Sequence, residues 1–419
     1  MTRVLIIGGT GFIGRHIAGA LSAAGHEVTA AGHRDIDLAR DDEDALRAKL
    51  AGAEAVINCA GLVRDRRGAS MAAVQGQGAA RLFQAALAAG VRRLIHISAL
   101  GASLAGETAY QRTKGAAEDA LRQIDPDGKR LDWCILRPSV VIGRGGASTA
   151  MLAALAALPF LPRLGDGRWQ VQPVHAADLA ALAVRLIESP APLPRSLDAV
   201  GPEPMNTDRL LTALRTWLGL PSARFIAVPE PLLMLTAAIG EKLADGPVNR
   251  EVVAMLKRGN VADAAPMAAA LGRPPMRLSH ALALHPASQA DRWHARLFLL
   301  RPVLRWSLGL LWVATALLSF GLYPVDNSTR LLGELGVSGL PASILLYGAA
   351  SLDLLLGLLL LARIRPVAVG AAQLATMAAF SLAALGLPAE YWLHPFAPLL
   401  KNLPLAAATL VMMALEAKP

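Results

Sequence analysis

Seven residues near the start of the chain, Gly8-Gly9-Thr10-Gly11-Phe12-Ile13-Gly14, restrict its fold more than any other stretch. They follow Val4-Leu5-Ile6-Ile7, an apolar run long enough for one buried strand. They lead into a helical pattern in which Ile13, Ile17 and Leu21 are spaced by four, with Gly25 as its stop. Strand, glycine turn and helix in that order make a cradle for the pyrophosphate of a dinucleotide. Gly8 or Gly9 permits the tight turn, Gly11 lets the pyrophosphate approach the backbone, and Gly14 lets the helix pack close to the strand. Thr10, Phe12 and Ile13 complete the turn and open the helix, whose free N–H groups and positive dipole end face the phosphates.

The rhythm that begins here continues. Strand-like runs at 27–31, 55–61, 91–98 and 131–136 alternate with helical patterns at 41–50, 71–90 and 107–124. Such alternation predicts an α/β domain with a doubly wound parallel sheet. After residue 145 the pattern loosens into Pro-rich sequence with short amphipathic helices. The reading is one dinucleotide-binding domain over 1–290, with a small substrate subdomain within about 145–290. Asp178, in the first turn of a helix, reads as structural.

Composition changes the picture for the rest of the chain. Hydrophobic residues make up 54% and charged residues only 17%, with mean hydropathy +0.42. That excludes an ordinary soluble enzyme and points to membrane segments. Four apolar stretches, about 303–323, 340–361, 366–386 and 396–415, each approach the ~20 residues that cross a bilayer. They define a transmembrane domain over 291–419. Arg292, Arg296 and Arg301 precede the first stretch, and Arg363 and Arg365 separate the second and third. The loops 324–339 and 387–395 carry only Arg330 as a cation of the Lys/Arg type. The positive-inside rule then puts both termini in the cytoplasm, on a multi-pass protein of the inner membrane. The net charge of +9 is mostly Arg spread singly, which suits an anionic leaflet better than nucleic acid. Cys59 and Cys134 lie in apolar runs and read as reduced thiols, with no disulfide framework and no metal-ligand spacing. No basic n-region or cleavage site opens the chain, so no signal peptide is expected.

Cofactor choice is read from the end of the second strand. NAD-binding sheets place a carboxylate there for the ribose 2′-hydroxyl. Here Gly32-His33-Arg34 stands instead, and no acid precedes Asp35. His33, Arg34 and Arg15 suit a 2′-phosphate, so NADP(H) is expected over NAD(H). Asp37 can accept from an adenine amino group, and Ala60-Gly61 ends a buried strand where a cofactor would pass.

Tyr110 and Lys114 lie four apart in the pattern at 107–124 and so share a helix face. An ammonium beside a phenol favours the phenolate and lowers a pKa of about 10. A Tyr so tuned can exchange a proton with a carbonyl or alcohol.

These pieces resemble the short-chain dehydrogenase/reductase superfamily, in particular extended and atypical members similar to the nucleotide-binding accessory subunit of respiratory complex I. The resemblance rests on the glycine turn, Asn58-Cys59-Ala60-Gly61, His96-Ile97-Ser98-Ala99-Leu100, Tyr110 to Lys114, Leu136-Arg137-Pro138-Ser139 and Pro173 to Asp178, in family order. It implies that Tyr110 is the acid/base and that Lys114 binds the nicotinamide ribose and acidifies Tyr110. It further implies that Pro138 lies beside the cofactor and that a Ser near the strand end holds the substrate carbonyl. Ser98 is the candidate, with Ser103 as the stand-in. The last 120 or so residues resemble a DoxX-like four-helix membrane domain, on Trp306 to Gly309, Leu346 to Asp353 and His394 to Asn402. Asp353 within the second span and Lys401 in the fourth should face the bundle or water, or in the case of Lys401 reach the interface. Trp392 and His394 fit an interfacial belt.

Three readings follow. The first is a membrane-tethered NADP(H) oxidoreductase acting on a carbonyl, an alcohol or a lipid-soluble compound such as a quinone. The second is a non-catalytic NADPH-binding assembly or sensor protein for a membrane complex. The third is a small-molecule or redox membrane module regulated by the dinucleotide-binding domain.

Overall fold

The computed structural model describes every residue except 66–67, 243–249, 389–392, 394–399 and 418–419. Two compact units emerge, Met1–Arg296 and Leu297–Pro419.

The first unit is built on six strands: β1 (Arg3–Ile7), β2 (Glu27–Ala31), β3 (Ala55–Asn58), β4 (Arg93–Ile97), β5 (Asp132–Pro138) and an edge strand, Ser196–Ala199. Their order is β2-β1-β3-β4-β5-edge, and every pairing is parallel. Apolar runs such as Ala55-Val56-Ile57, buried along their whole length, suit a sheet covered on both faces. The connecting helices are α1 (Phe12–Ala23), α2 (Glu43–Lys49), α3 (Gly78–Ala88), α4 (Ala109–Ile124), α5 (Ala147–Ala156) and α6 (Ala176–Glu188). Ile17 and Leu21 of α1 join Leu179, Leu182 and Leu186 of α6 on one face. Leu46 of α2, Phe83 of α3 and Leu121 of α4 close the other. This is the doubly wound α/β sheet expected from the sequence. Truncating a side chain such as Ile57, 0% exposed, to Ala would cost ~2–5 kcal/mol.

The chain leaves β1 for β2 on one side and later sets β3 on the other. A crevice opens above the carboxyl ends of strands at such a reversal, where doubly wound sheets take ligands. Helix starts around it differ. Thr108 caps α4 in a reciprocal box with Gln111, and Asp42 caps α2. Gly11 begins α1 with no side-chain cap.

Two local features depart from the expected pattern. The helix read at 71–90 opens as a wide π-helix, Ala72–Gln77, before α3. Its Ala/Gly/Gln composition carries no periodic cue for that widening. The stretch assigned to the substrate side also returns to the main sheet, because α6 and Ser196–Ala199 lie within it. Only Leu197 and Ala199 alternate there, between prolines and a solvent turn, so the strand leaves little pattern to read.

Gln289–Leu322, most of which lies in the second unit, and Leu340–Leu361 and Pro366–Gly386 within it are long and apolar enough to cross a membrane. A fourth apolar helix, Asn402–Glu416, has 15 residues. Residues 396–399 of the fourth expected span lie outside the described residues, as do Trp392 and His394. Leu308, Trp312, Leu356, Leu360, Val369, Met377 and Met412 form the bundle core. The first two helices approach closely at glycines, where a Cβ on Gly357 would stand 3.0 Å from the Gly309 oxygen. At one end, Glu416 accepts from Arg301 (2.7 Å), Arg305 (3.0 Å) and Arg363 (3.2 Å). Arg301 and Arg363, expected to face a leaflet, thus converge on one buried carboxylate. Lys401 is exposed at the start of Asn402–Glu416.

Candidate functional site

The carboxyl edge of the sheet gathers the residues singled out in the sequence. After β1 the backbone turns at Gly8, whose φ of +73° favours glycine. A Cβ on Gly8 would stand 2.8 Å from the Ala60 nitrogen, and one on Gly14 would stand 2.3 Å from the Gly8 oxygen. Both positions are closed to any side chain. Gly11 differs, because a Cβ there would meet only the Gly8 oxygen, at 3.1 Å. The N–H groups of Phe12, Ile13 and Gly14, in the uncapped first turn, have no partners within the helix. An open glycine beside these donors fits a pyrophosphate. Phe12 lies against Gly143 and Gly146, and Ile13 packs on the core. Arg15 is exposed, with its guanidinium 3.1 Å from where a Gly145 Cβ would be.

At the end of β2, His33 and Arg34 are exposed. Thr10 Oγ1 lies 3.0 Å from the Cβ position of Gly32. Asp35 turns back, and its Oδ2 accepts from the Gly32 N–H at 2.8 Å. A carboxylate therefore does stand at this strand end, carried there by a turn and so missed when residues are counted along the strand. Asp37 accepts from the Ala39 N–H at 3.0 Å and lies 3.8 Å from Arg40, so its carboxylate serves its own turn.

The loop after β3 is fixed from below. Asn58, fully buried, accepts from the Ala60 N–H at 3.0 Å and pairs with His96 Nδ1 at 3.2 Å. Burial holds the His96 imidazole well below its ordinary pKa. Gln75 of the π-helix accepts from the Leu62 N–H (3.0 Å) and donates to Thr113 on α4 (2.8 Å). A Cβ on Gly61 would lie 3.1 Å from Gln75 Oε1 and 3.2 Å from Lys114 Nζ. Gln75 escaped sequence reasoning, since nothing in an Ala/Gly/Gln stretch marks a wide turn.

Lys114 is 3% exposed and donates to the Ile97 oxygen at 2.8 Å and, more weakly, to the Ala60 oxygen at 3.5 Å. It thus bridges the ends of β3 and β4. Burial brings its ammonium down to about 8, against the raising effects of Cys59 and Glu118. Tyr110 is half-buried one turn earlier, and burial pushes its phenol up to about 12. The expected acidification of Tyr110 by Lys114 is not realised here, because the ammonium is turned to backbone carbonyls. Glu251, on the helix Arg250–Arg258, accepts from the Ala109 and Tyr110 N–H groups at 3.0 and 3.3 Å and holds the start of α4.

Ser98 is buried and donates to Glu118 Oε1 at 2.6 Å. Glu118 is also bound by Arg137 and Arg122. The Ser98 proton is thereby committed to an ion-pair network beneath the site. Glu118 stands at helical spacing from Lys114, a signal present in the sequence but not used. Ser103 is exposed and accepts from the Ala105 N–H at 3.2 Å. Pro138 closes β5 and accepts from the Leu100 N–H at 3.0 Å. Asp178 accepts from Arg273 (2.6 Å) and the Met276 N–H (2.7 Å) and ties down that loop. Both cysteines are free thiols; Cys134 is buried and Cys59 half-buried. A cavity of about 670 Å³ is lined by Trp169, Arg168, Lys257 and Arg258, among others. It lies apart from the glycine cradle, and Arg258 links it to the start of α4 through Glu107, 3.5 Å away.

Residues 4–198 match the NAD dependent epimerase/dehydratase family, and residues 309–410 match the DoxX-like family. A ceramide reductase of Caulobacter vibrioides is 31% identical over a stretch covering 56% of this chain and 76% of that protein. The chain belongs to the NAD dependent epimerase/dehydratase family. This epimerase/dehydratase-family unit is also similar to subunit 9 of the mitochondrial NADH dehydrogenase [ubiquinone] 1 alpha subcomplex of Arabidopsis thaliana. There the identity is 27%, over 56% of this chain and 62% of that one, short of two thirds of the subunit. Among solved structures, an NAD-dependent NDP-hexosamine 5,6-dehydratase involved in tunicamycin biosynthesis matches with TM-score 0.53 and 18% identity, over 71% of this chain and 99% of that one. A UDP-glucuronic acid 4-epimerase of Bacillus cereus, in complex with UDP-glucuronic acid and NAD, matches with TM-score 0.51 and 17% identity, over 70% and 99%. At these identities the two structures speak for the fold of the family.

Proposed function

We propose that the protein is a membrane-bound oxidoreductase that uses a nicotinamide dinucleotide to reduce the carbonyl of a lipid-soluble substrate. The observation that carries this reading is the placement of Tyr110 and Lys114 on one face of α4, with Lys114 reaching the strand ends beside the glycine cradle. A reduced dinucleotide held there would supply a hydride for the carbonyl carbon. The Tyr110 phenol, kept protonated at neutral pH by burial, supplies the proton to the carbonyl oxygen. Lys114 would hold the nicotinamide ribose from its place at the ends of β3 and β4. Ser98 acts indirectly, by fixing Glu118 and Arg137 under the site, and Ser103 is the exposed hydroxyl nearest in sequence. The membrane-spanning helices and the similarity to a ceramide reductase both favour an apolar substrate.

For the cofactor we infer NADP(H) over NAD(H), on the exposed cations Arg15, His33 and Arg34. Asp35 is the counterweight, since its carboxylate sits on Gly32 at the place where a ribose hydroxyl is held in NAD-binding sheets. Titrating NADPH and NADH into the wild type, Arg34→Asp and Asp35→Ala decides the matter. Equal affinity of the wild type for both would sink the preference.

A second reading, a dinucleotide-occupied assembly or sensor protein for a membrane complex, draws on the similarity to the complex I subunit and on the committed Ser98 proton. Turnover separates the two. NADPH oxidation driven by a panel of long-chain carbonyls supports the enzyme, and tight binding without turnover across that panel supports the scaffold.

A further inference from the structure

Several buried polar atoms of the second unit find no hydrogen-bond partner among the described residues, Trp306 Nε1 among them; three of the side chains concerned are Asp353 (Oδ1), Gln373 (both amide atoms) and Trp312 (Nε1). Asp353 is 5% exposed, Trp312 5% and Gln373 0%. They come from three different apolar helices, yet they border one cluster. Trp312 packs in the core with Leu356 and Met377. Asp353 precedes Leu356 by three residues and Gln373 precedes Met377 by four, so each lies one turn away on the same helix face. Depth agrees as well. Asp353 is eight residues before the end of Leu340–Leu361, and Gln373 is seven residues after the start of Pro366–Ala383. At 1.5 Å per residue both lie ~10–12 Å from the shared turn. On the first helix, Gly309 faces Gly357; one turn beyond this crossing, Trp312 and Asp353 come level.

We propose that Asp353, Gln373 and Trp312 form an intramembrane binding site for the polar head of an uncharged lipid-soluble molecule, one bearing a carbonyl or hydroxyl. A buried amide left without partners costs free energy, as does a carboxyl within hydrocarbon, and natural bundles place such groups where they are used. Gln373 offers a donor and an acceptor, Trp312 a donor, and the Asp353 carboxyl an acceptor. A ketone or alcohol answers that set, whereas an anion would find no countercharge among these three groups and an alkane would satisfy nothing. Apolar neighbours such as Leu356, Leu360 and Met377 suit the attached chain. This site is separate from the reaction proposed above, and its test involves no turnover.

The test uses the full chain in phosphatidylcholine nanodiscs. Dicyclohexylcarbodiimide, an apolar carboxyl reagent, should label Asp353 as read by peptide mass, and Asp353→Asn should abolish that label. Decan-2-ol and 2-decanone should slow labelling roughly tenfold, the effect of ~1.4 kcal/mol of binding, while decane should leave it unchanged. Gln373→Leu and Trp312→Phe replace polar groups by apolar ones of similar size; both should label normally and lose most of the protection. The proposal is overturned if Asp353 escapes the reagent, if neither decan-2-ol nor 2-decanone protects, if decane protects as well as they do, or if both variants keep full protection. Should either variant fail to fold, the comparison of decane with 2-decanone on the wild type still decides.

Discussion

Tyr110 and Lys114 divide their tasks in a way two substitutions can separate. Tyr110→Phe removes the proton donor and leaves the cradle intact. Turnover should fall by ~10²-fold or more with dinucleotide affinity unchanged, as steady-state kinetics and a fluorescence titration would report. If activity survives at the wild-type level, the proton comes from elsewhere. Lys114 provides the pH signature. Its folded pKa, about 8, lies below the ordinary 10.5, so the ammonium persists below about pH 8 and the neutral amine takes over above it. An anionic dinucleotide favours the ammonium, so affinity should hold from neutral pH to about 8 and then decline as pH rises. In Lys114→Met the affinity should be weaker throughout and the decline absent. A wild-type affinity that stays flat to about pH 9.5 would place Lys114 outside the binding site. The Tyr–Lys pair was legible in the sequence because helical spacing alone puts residues four apart on one face. The hydroxyl of Ser98 was not legible, since its direction depends on Glu118, twenty residues on and brought near by packing. Asp35 escaped for a related reason: a turn, and not the strand, carries its carboxylate back to Gly32.

Among the elements, α1 offers an internal contrast between two glycines. A Cβ on Gly14 would lie 2.3 Å from the Gly8 oxygen and 2.7 Å from Gly9 Cα, so Gly14→Ala must push the helix off the turn. Dinucleotide affinity should drop at least roughly tenfold, or the unit should unfold at a lower temperature. Gly19 has nothing within 4 Å of its Cβ position. Gly19→Ala should leave affinity alone and raise stability by ~0.5–1 kcal/mol through helix propensity, seen as a higher melting temperature. Equal effects of the two would mean that α1 does not rest on the turn. The glycine spacing marks this element in the sequence, because strand, turn and helix each leave a separate signal. The π-helix carrying Gln75 left none, and neither did the edge strand Ser196–Ala199, whose four residues are too few to establish a period. Elements held by tertiary partners alone are the ones that patterning misses.

For the whole molecule, the decisive question is which way the apolar helices run. The structure supplies an anchor in the carboxylate of Glu416, which gathers Arg301, Arg305 and Arg363 at one end of the bundle. Three guanidinium groups on one carboxylate leave that end positive, and the remaining cation of the same turn, Arg365, lies exposed beside it. The opposite end carries Arg330 and Lys401 against Asp326 and Glu334, so it has no excess of cations. Cations are retained on the cytoplasmic side during insertion, so the Arg-rich end should face the cytoplasm. Phosphatase and fluorescent-protein fusions should therefore report residue 335 outside and residues 290 and 364 inside, and a chain ended near residue 290 should no longer fractionate with membranes. The Arg cluster also gives a way to challenge the sign of the rule. Replacing Arg363 and Arg365 with Gln while adding Lys at residues 336 and 338 weakens the bias, so a fraction of the molecules should invert. A wild-type fusion at residue 335 that reports the cytoplasm would reverse the orientation and place the glycine cradle on the other side of the membrane, away from the cell's supply of nicotinamide dinucleotides.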